Sequence, residues 1–139
     1  MTGLATYSLV DGISVITMDD GKANAISLAM QEALNAALDE AERANVPVVL
    51  TGRSGILSAG FDLKTLMASG QPAVNMLNGG LELAIRLLSF PTPVTIACGG
   101  HAIAMGVFLM LCGDYRIFLW WVSNYYFTSS SSLGGFYRS

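Results

Sequence analysis

Apolar and polar positions alternate from Ala5 to Leu9, break at Asp11-Gly12, and resume as a β-rich run from Ile13 to Met18. A type I′ turn needs positive φ at two successive residues, which Asp-Gly supplies, so residues 5–18 predict a β-hairpin. After Asp19-Asp20-Gly21 the period changes to that of a helix, with Met30, Leu34, Ala37, Leu38 and Ala41 on one stripe and Ser27 placed as its N-cap. That helix should end near Asn45, ahead of Pro47. Residues 46–51 form a short, uniformly apolar run, which suits a buried parallel strand. Residues 52–70 read as a loop holding one helical turn over 62–68. A second long helix follows over 73–89, with Val74, Leu77, Leu81, Ala84 and Leu88 as its stripe and Phe90-Pro91 as its stop.

Residues 94–112 carry no formal charge, and their length alone would satisfy a membrane-spanning helix. The β-branched start at Val94-Thr95-Ile96, with glycines at 99, 100 and 106, instead predicts a buried strand over 94–98 and a short buried helix over 106–112. No membrane segment is expected. Another strand should begin at 115–117, giving strands that alternate with helices, an α/β core with parallel pairing.

Composition sharpens this picture. Charged residues make up 12% of the chain, about half the usual share of roughly 25%, so a large buried core is expected and intrinsic disorder is excluded. Net charge is −3 and the seven Lys and Arg form no cluster, which excludes a nucleic-acid footprint. Cys98, Cys112 and the lone His101 make neither a disulfide framework nor a zinc site, so no metal is expected and a reducing, cytoplasmic setting fits. Residues 1–9 lack a basic region followed by an apolar run, so no signal peptide is expected. From Phe118 onward the composition shifts: residues 118–139 hold eight of the thirteen aromatic residues, four consecutive serines and one charge, Arg138. The chain is therefore expected to divide into a core unit, 1–117, and an atypical tail, 118–139.

Three turns carry the candidate chemistry. Asp20-Gly21-Lys22-Ala23-Asn24-Ala25-Ile26-Ser27 offers small residues against which a ligand can lie, with Lys22 available to a phosphate. Ile56-Leu57-Ser58-Ala59-Gly60-Phe61-Asp62-Leu63-Lys64 enters a helical turn, leaving N–H groups near Phe61 and Asp62 free for an oxyanion or carbonyl oxygen. Ser58 lacks the Gly-x-Ser-x-Gly spacing of a nucleophile elbow. Gly99-Gly100-His101-Ala102-Ile103-Ala104-Met105-Gly106 enters an apolar helix, with free N–H groups expected at Met105 and Gly106. His101, with no Asp or Glu near it in sequence, reads as a packed loop residue rather than a base.

In this order, Asn24-Ala25-Ile26, Ser58-Ala59-Gly60-Phe61-Asp62-Leu63, Pro91-Thr92-Pro93-Val94 and Gly100-His101-Ala102-Ile103-Ala104-Met105-Gly106, closing on Gly113-Asp114-Tyr115-Arg116, resemble the crotonase (enoyl-CoA hydratase/isomerase) superfamily. The resemblance runs from about Tyr7 to Ile117. It implies an α/β fold, a crotonase-like spiral of β-β-α units, here truncated to its N-terminal half. It also implies a role in acyl-CoA metabolism, with two backbone N–H groups polarising the thioester carbonyl. Carried over residue by residue, those donors fall on Phe61 and Met105, while Lys22, Ala23, Ala25, Ala59, Asp62 and Leu63 fall where the family holds CoA. No separate cofactor is implied, because CoA arrives as part of the substrate.

The family's two catalytic glutamates would fall at Phe108 and near Thr128, and neither residue can transfer a proton as a carboxylate does. The resemblance thus implies an acyl-CoA-acting protein whose hydration chemistry is impaired. The alternative is a non-catalytic acyl-CoA-binding protein or a non-functional truncated fragment. Glu82 reads as part of a solvated helix face. Family members assemble as homotrimers or hexamers through a second half, which is expected to be absent here and to leave apolar surface uncovered.

Overall fold

A computed structural model describes the backbone of residues 3–122, 125–130 and 133–138 and the side chains of residues 3–118. The hairpin forms as its turn chemistry requires. Strands β1 (Ala5–Val10) and β2 (Ile13–Met18) pair antiparallel, with Asp11 at φ 49° and Gly12 at φ 78° between them. Helix α1 (Leu28–Ala44) starts where the Ser27 hydroxyl accepts the Met30 N–H at 3.1 Å. It ends at Asn45, which adopts the left-handed conformation and donates its N–H to Ala41 and Glu42 carbonyls. Its buried residues include the whole stripe expected from the sequence.

Strand β3 (Val48–Thr51) pairs parallel to β2 on one side and to β5 (Val94–Cys98) on the other, and β5 pairs parallel to β7 (Tyr115–Val122). Strand β8 (Tyr125–Ser130) pairs antiparallel with β7 and β9 (Leu133–Arg138) antiparallel with β8, which gives a seven-stranded sheet of order β1-β2-β3-β5-β7-β8-β9. The boundary expected at Ile117 therefore falls inside β7. The side chains of the aromatic segment, Thr128 among them, lie outside the described residues. Residues 94–112, long enough on paper to span a membrane, divide into β5, β6 (Gly100–Ala102) and α4 (Met105–Cys112). Among the described residues no helix is long and apolar enough to cross a membrane.

Two differences from the sequence reading matter for the site. The loop expected over 52–70 contains a short strand, β4 (Gly55–Ser58), besides the helical turn α2 (Leu63–Ala68), and β4 pairs parallel with β6. These strands have four and three residues, too short for alternation to show. The second difference concerns α3 (Gln71–Leu88), which buries Ala73, Met76, Gly80, Leu83 and Leu87 rather than the stripe the spacing singled out. Val74, Leu77, Leu81 and Leu88 of that stripe face outward, and Ala84 is half-buried. The helix is apolar over nearly half its circumference, so periodicity alone cannot tell which part meets the core.

The core packs α1, α3 and α4 against the sheet. Ile16, Met18, Met30, Leu34, Leu38, Leu50, Leu83, Val94, Ile96 and Leu109 are essentially inaccessible to solvent. Burying a residue of this size is worth about 1.5–3 kcal/mol, so the core fixes the strand ends from which the three candidate turns emerge.

Candidate functional site

The three turns converge on the end of β4. Ala59 donates its N–H to the Ala23 carbonyl at 2.9 Å, and Ile26 donates to Gly60 at 2.8 Å, which joins the first turn to the second. Ala25 and Gly60 form an isolated parallel bridge. Ile103 donates to the Ser58 carbonyl at 2.9 Å, which joins the third turn to the second. Gly106 packs its α-carbon directly against the same Ser58 carbonyl, closer than any Cβ would permit.

Buried polar side chains lock this junction. Asn24, fully buried and at φ 52°, donates to the carbonyls of Met18 at 2.9 Å and Leu57 at 3.1 Å, and its side-chain oxygen accepts the Asp20 N–H at 2.9 Å. Ser58 Oγ donates to the Asn24 carbonyl at 2.7 Å and accepts the Gly60 N–H at 3.0 Å. It is a structural pin, in keeping with the missing elbow spacing. Asp20 accepts the N–H groups of Lys22, Asn24 and Ala25. Partial burial pushes its pKa up, but those three N–H groups and the Arg53 charge outweigh burial and hold the carboxyl below its usual value. Arg53 reaches over the turn to the Lys22 carbonyl at 2.6 Å and to Asp19 at 3.3 Å. Sequence reading missed Asp20, Asn24 and Arg53 as site-building residues: Asn24 and Arg53 find partners distant in sequence, at Leu57 and at Lys22 and Asp19, and the turn that Asp20 ties locally joins the site only through them.

The two expected backbone donors sit on adjoining turns. No acceptor among the described residues takes the N–H of Phe61 or of Met105. The α-carbon of Gly60, immediately before Phe61, lies so close to the third turn that a Cβ there would stand 3.1 Å from Met105 N and 2.9 Å from the Ile103 carbonyl oxygen. Gly60 at φ 92° and Ala104 at φ 49° make the chain reversals that leave these donors outside the helical hydrogen-bond ladder. The N–H of Gly106, expected to be free, instead donates to the Ile103 carbonyl at 2.8 Å, because the first turn of α4 tightens to i→i+3 pairing. Behind the donors, the Phe61 ring and the Met105 methyl both pack against Gly80 of α3.

Around the donors, Lys22 and Ala23 are exposed, Ala25, Ala59 and Asp62 half-exposed, and Leu63 prominent on α2. The fold thus brings all six into one neighbourhood of the β4 end. Asp62 caps α2, accepting from the hydroxyl and the N–H of Thr65; these bonds hold its carboxyl below the usual range. His101 stands exposed on β6, paired across from Ile56, so it is not a packed loop residue. Phe108, one turn along α4 from Met105, is 62% exposed. Thr128 lies on β8, opposite Leu119 of β7, with its side chain outside the described residues. Among the described residues no three His, Cys, Asp or Glu side chains gather as a metal site.

A family model described as enoyl-CoA hydratase/isomerase matches residues 9–137. The chain belongs to that family. Among solved structures it is similar to an enoyl-CoA isomerase of Mycobacterium tuberculosis, with 57% identity and a TM-score of 0.79, over 84% of this chain and 51% of that one. An enoyl-CoA hydratase/isomerase family protein from Pseudomonas syringae is 48% identical with a TM-score of 0.82, over 84% of this chain and 51% of that one. Among curated proteins, a probable enoyl-CoA hydratase of Bacillus subtilis is 31% identical over 109 residues, 76% of this chain and 42% of the relative. The α/β architecture is therefore that of the family, and the chain spans about half the length of these relatives or less.

Proposed function

We propose that this chain holds an acyl-CoA thioester at the end of β4, its carbonyl oxygen accepting from the N–H groups of Phe61 and Met105. The observation that carries the reading is the pair of unengaged N–H groups on turns joined through Gly60. When a proton leaves the α-carbon of the acyl group, or a nucleophile adds at the β-carbon, negative charge moves onto that oxygen. Donors fixed by the fold need no reorganisation at that moment, and each is worth roughly 3–4 kcal/mol of barrier. Lys22, Ala23, Ala25, Ala59, Asp62 and Leu63 border the path for the CoA moiety; Lys22 offers its ammonium to a phosphate, and the alanines let the ligand approach the backbone. No separate cofactor enters this scheme.

Proton transfer is the weaker half of the site. Phe108 stands where the resemblance places the first catalytic glutamate, and an aromatic ring cannot carry a proton; a positioned acid or base is worth about 100-fold to 10,000-fold. Phe108 therefore favours a second reading, an acyl-CoA-binding protein with little turnover.

Calorimetric titration with crotonyl-CoA and with free CoA, beside a crotonyl-CoA hydration assay, tests both readings. The thioester should bind more tightly than free CoA, because only the thioester has a carbonyl for the donor pair. Hydration at least about 100-fold slower than that of a two-glutamate relative is expected from the acid-base argument. Equal affinity for CoA and thioester would refute the donor pair, and rapid hydration would refute the role given to Phe108.

A further inference from the structure

Gln31 of α1 carries an amide into the interior, where it is 5% exposed. Burying an amide is costly unless its polar atoms find partners, and the partners of this one belong to the supports of the donor pair. Its Nε2 donates to the Met76 carbonyl of α3 at 2.8 Å and, more weakly, to the Ile26 carbonyl at 3.4 Å. Its Oε1 lies against Gly79, in the space that a Cβ there would take. Ile26 in turn donates its N–H to the carbonyl of Gly60 at 2.8 Å. A peptide unit is planar and trans, so fixing the Gly60 carbonyl also fixes the direction of the Phe61 N–H in the same unit. Gly79 adjoins Gly80, against which the Phe61 ring and the Met105 methyl rest. One buried side chain thus touches both the segment that aims the first donor and the turn of α3 that backs the two donors together.

We propose that Gln31 is a positioning residue for the Phe61 and Met105 N–H pair, holding the Gly79-Gly80 turn of α3 and the Ile26 segment at one fixed separation. The role rests on the acyl-CoA reading proposed above. Another clamp between the same helices offers a contrast: Arg86 bonds Asn35 at 2.9 Å and Asp39 at 2.6 Å. It lies more than one helical turn beyond Gly80, so it ties α1 to α3 away from the donors.

Calorimetric titration with crotonyl-CoA and with free CoA reads the donor pair as a ratio of affinities, because the two ligands share the CoA moiety and differ in the thioester. Gln31→Met keeps the length of the side chain and removes its N–H donors. It should lower the preference for the thioester by about threefold to tenfold, the worth of one weakened hydrogen bond, with affinity for free CoA nearly unchanged. Gly79→Ala should act the same way from the other helix, since its Cβ displaces Gln31 Oε1. That variant should stay folded: the atom that gives way ends a flexible side chain, and alanine favours the helix. Arg86→Ala should leave the preference unchanged. In proton–nitrogen correlation spectra of the free chain, the Phe61 and Met105 amide resonances should move in the first two variants and hold in the third. A residue that merely packs would instead weaken both ligands alike, in step with lost thermal stability, and that pattern would overturn the role of Gln31. So would a parent that prefers the thioester together with a Gln31→Met or Gly79→Ala variant that keeps the full preference, or an Arg86→Ala variant that loses as much. Equal affinity of the parent for both ligands would refute the donor pair itself, and the role of Gln31 with it.

Discussion

Replacing Gly60 by alanine tests whether the two donor turns are held together as described. Gly60 sits at φ 92°, and a Cβ there would stand 2.9 Å from the Ile103 carbonyl oxygen, 3.0 Å from Ala104 Cβ and 3.1 Å from Met105 N. An L-residue in the left-handed region costs about 1–2 kcal/mol, of which reduced freedom in the unfolded chain returns about 0.4–1. The contacts fall well inside the ordinary separation of about 3.5–4 Å. They are with backbone and a short side chain, so relief requires moving a turn, at about 1–3 kcal/mol. Gly60→Ala should therefore lose about 2–4 kcal/mol. Gly12→Ala is the matched control, since Gly12 has φ 78° but a Cβ there would meet nothing within 4 Å. It should lose about 1 kcal/mol, the backbone term alone. Urea unfolding followed by far-UV circular dichroism measures both, and the same Gly60 variant should bind acyl-CoA more weakly because Phe61 N–H and Met105 N–H are forced apart. If Gly60→Ala costs no more than Gly12→Ala, the close approach is not real and the paired-donor argument fails with it.

Asn24→Ala should cost about 2–4 kcal/mol by urea unfolding, because it strips buried carbonyls of Met18 and Leu57 of their donor; a loss below about 0.5 kcal/mol would contradict the pinning role. Asp20 has a lowered folded-state pKa, so its contribution is full above the unfolded value and fades as pH falls through the folded one, below about pH 4. Asp20→Asn should accordingly lower the urea midpoint at pH 7 and differ less from the parent at pH 3; a gap that widens on acidification would reverse the sign. Gly80→Ala should gain up to about 1 kcal/mol of helix propensity, yet be destabilised overall because its Cβ overlaps the Phe61 ring; a net gain in thermal stability would show that the ring is free to move. Phe108→Glu, at an exposed position, should change stability by less than about 1 kcal/mol while raising crotonyl-CoA hydration. An unchanged hydration rate would remove Phe108 as the limiting position.

Local rules were enough to read the hairpin, the capped helix α1, the buried strands β3 and β5 and the helix α4, because each is specified by residues adjacent in the chain. Asp11-Gly12 dictates its turn and Ser27 its cap whatever surrounds them. The order of the three turns was equally legible, and with it the family and the α/β class. Their meeting point was not: β4 and β6 are too short to announce themselves, and each is a strand only because the other pairs with it. Nor could the sequence show that the Gly106 N–H is spent on Ile103 while that of Met105 is left over, since this depends on where the first turn of α4 closes.

The two faces of α3 mark the division most clearly. The sequence determined that this segment is a helix with a broad apolar sector, since spacing and composition settle that locally. That Met76, Leu83 and Leu87 turn inward while the regular Val74-Leu77-Leu81-Leu88 stripe is left outside depends on the neighbours the helix meets in the fold. Burial goes to the side where Gly79 and Gly80 let Gln31, Phe61 and Met105 approach the helix closely, and this steric condition outweighs the regularity of the stripe.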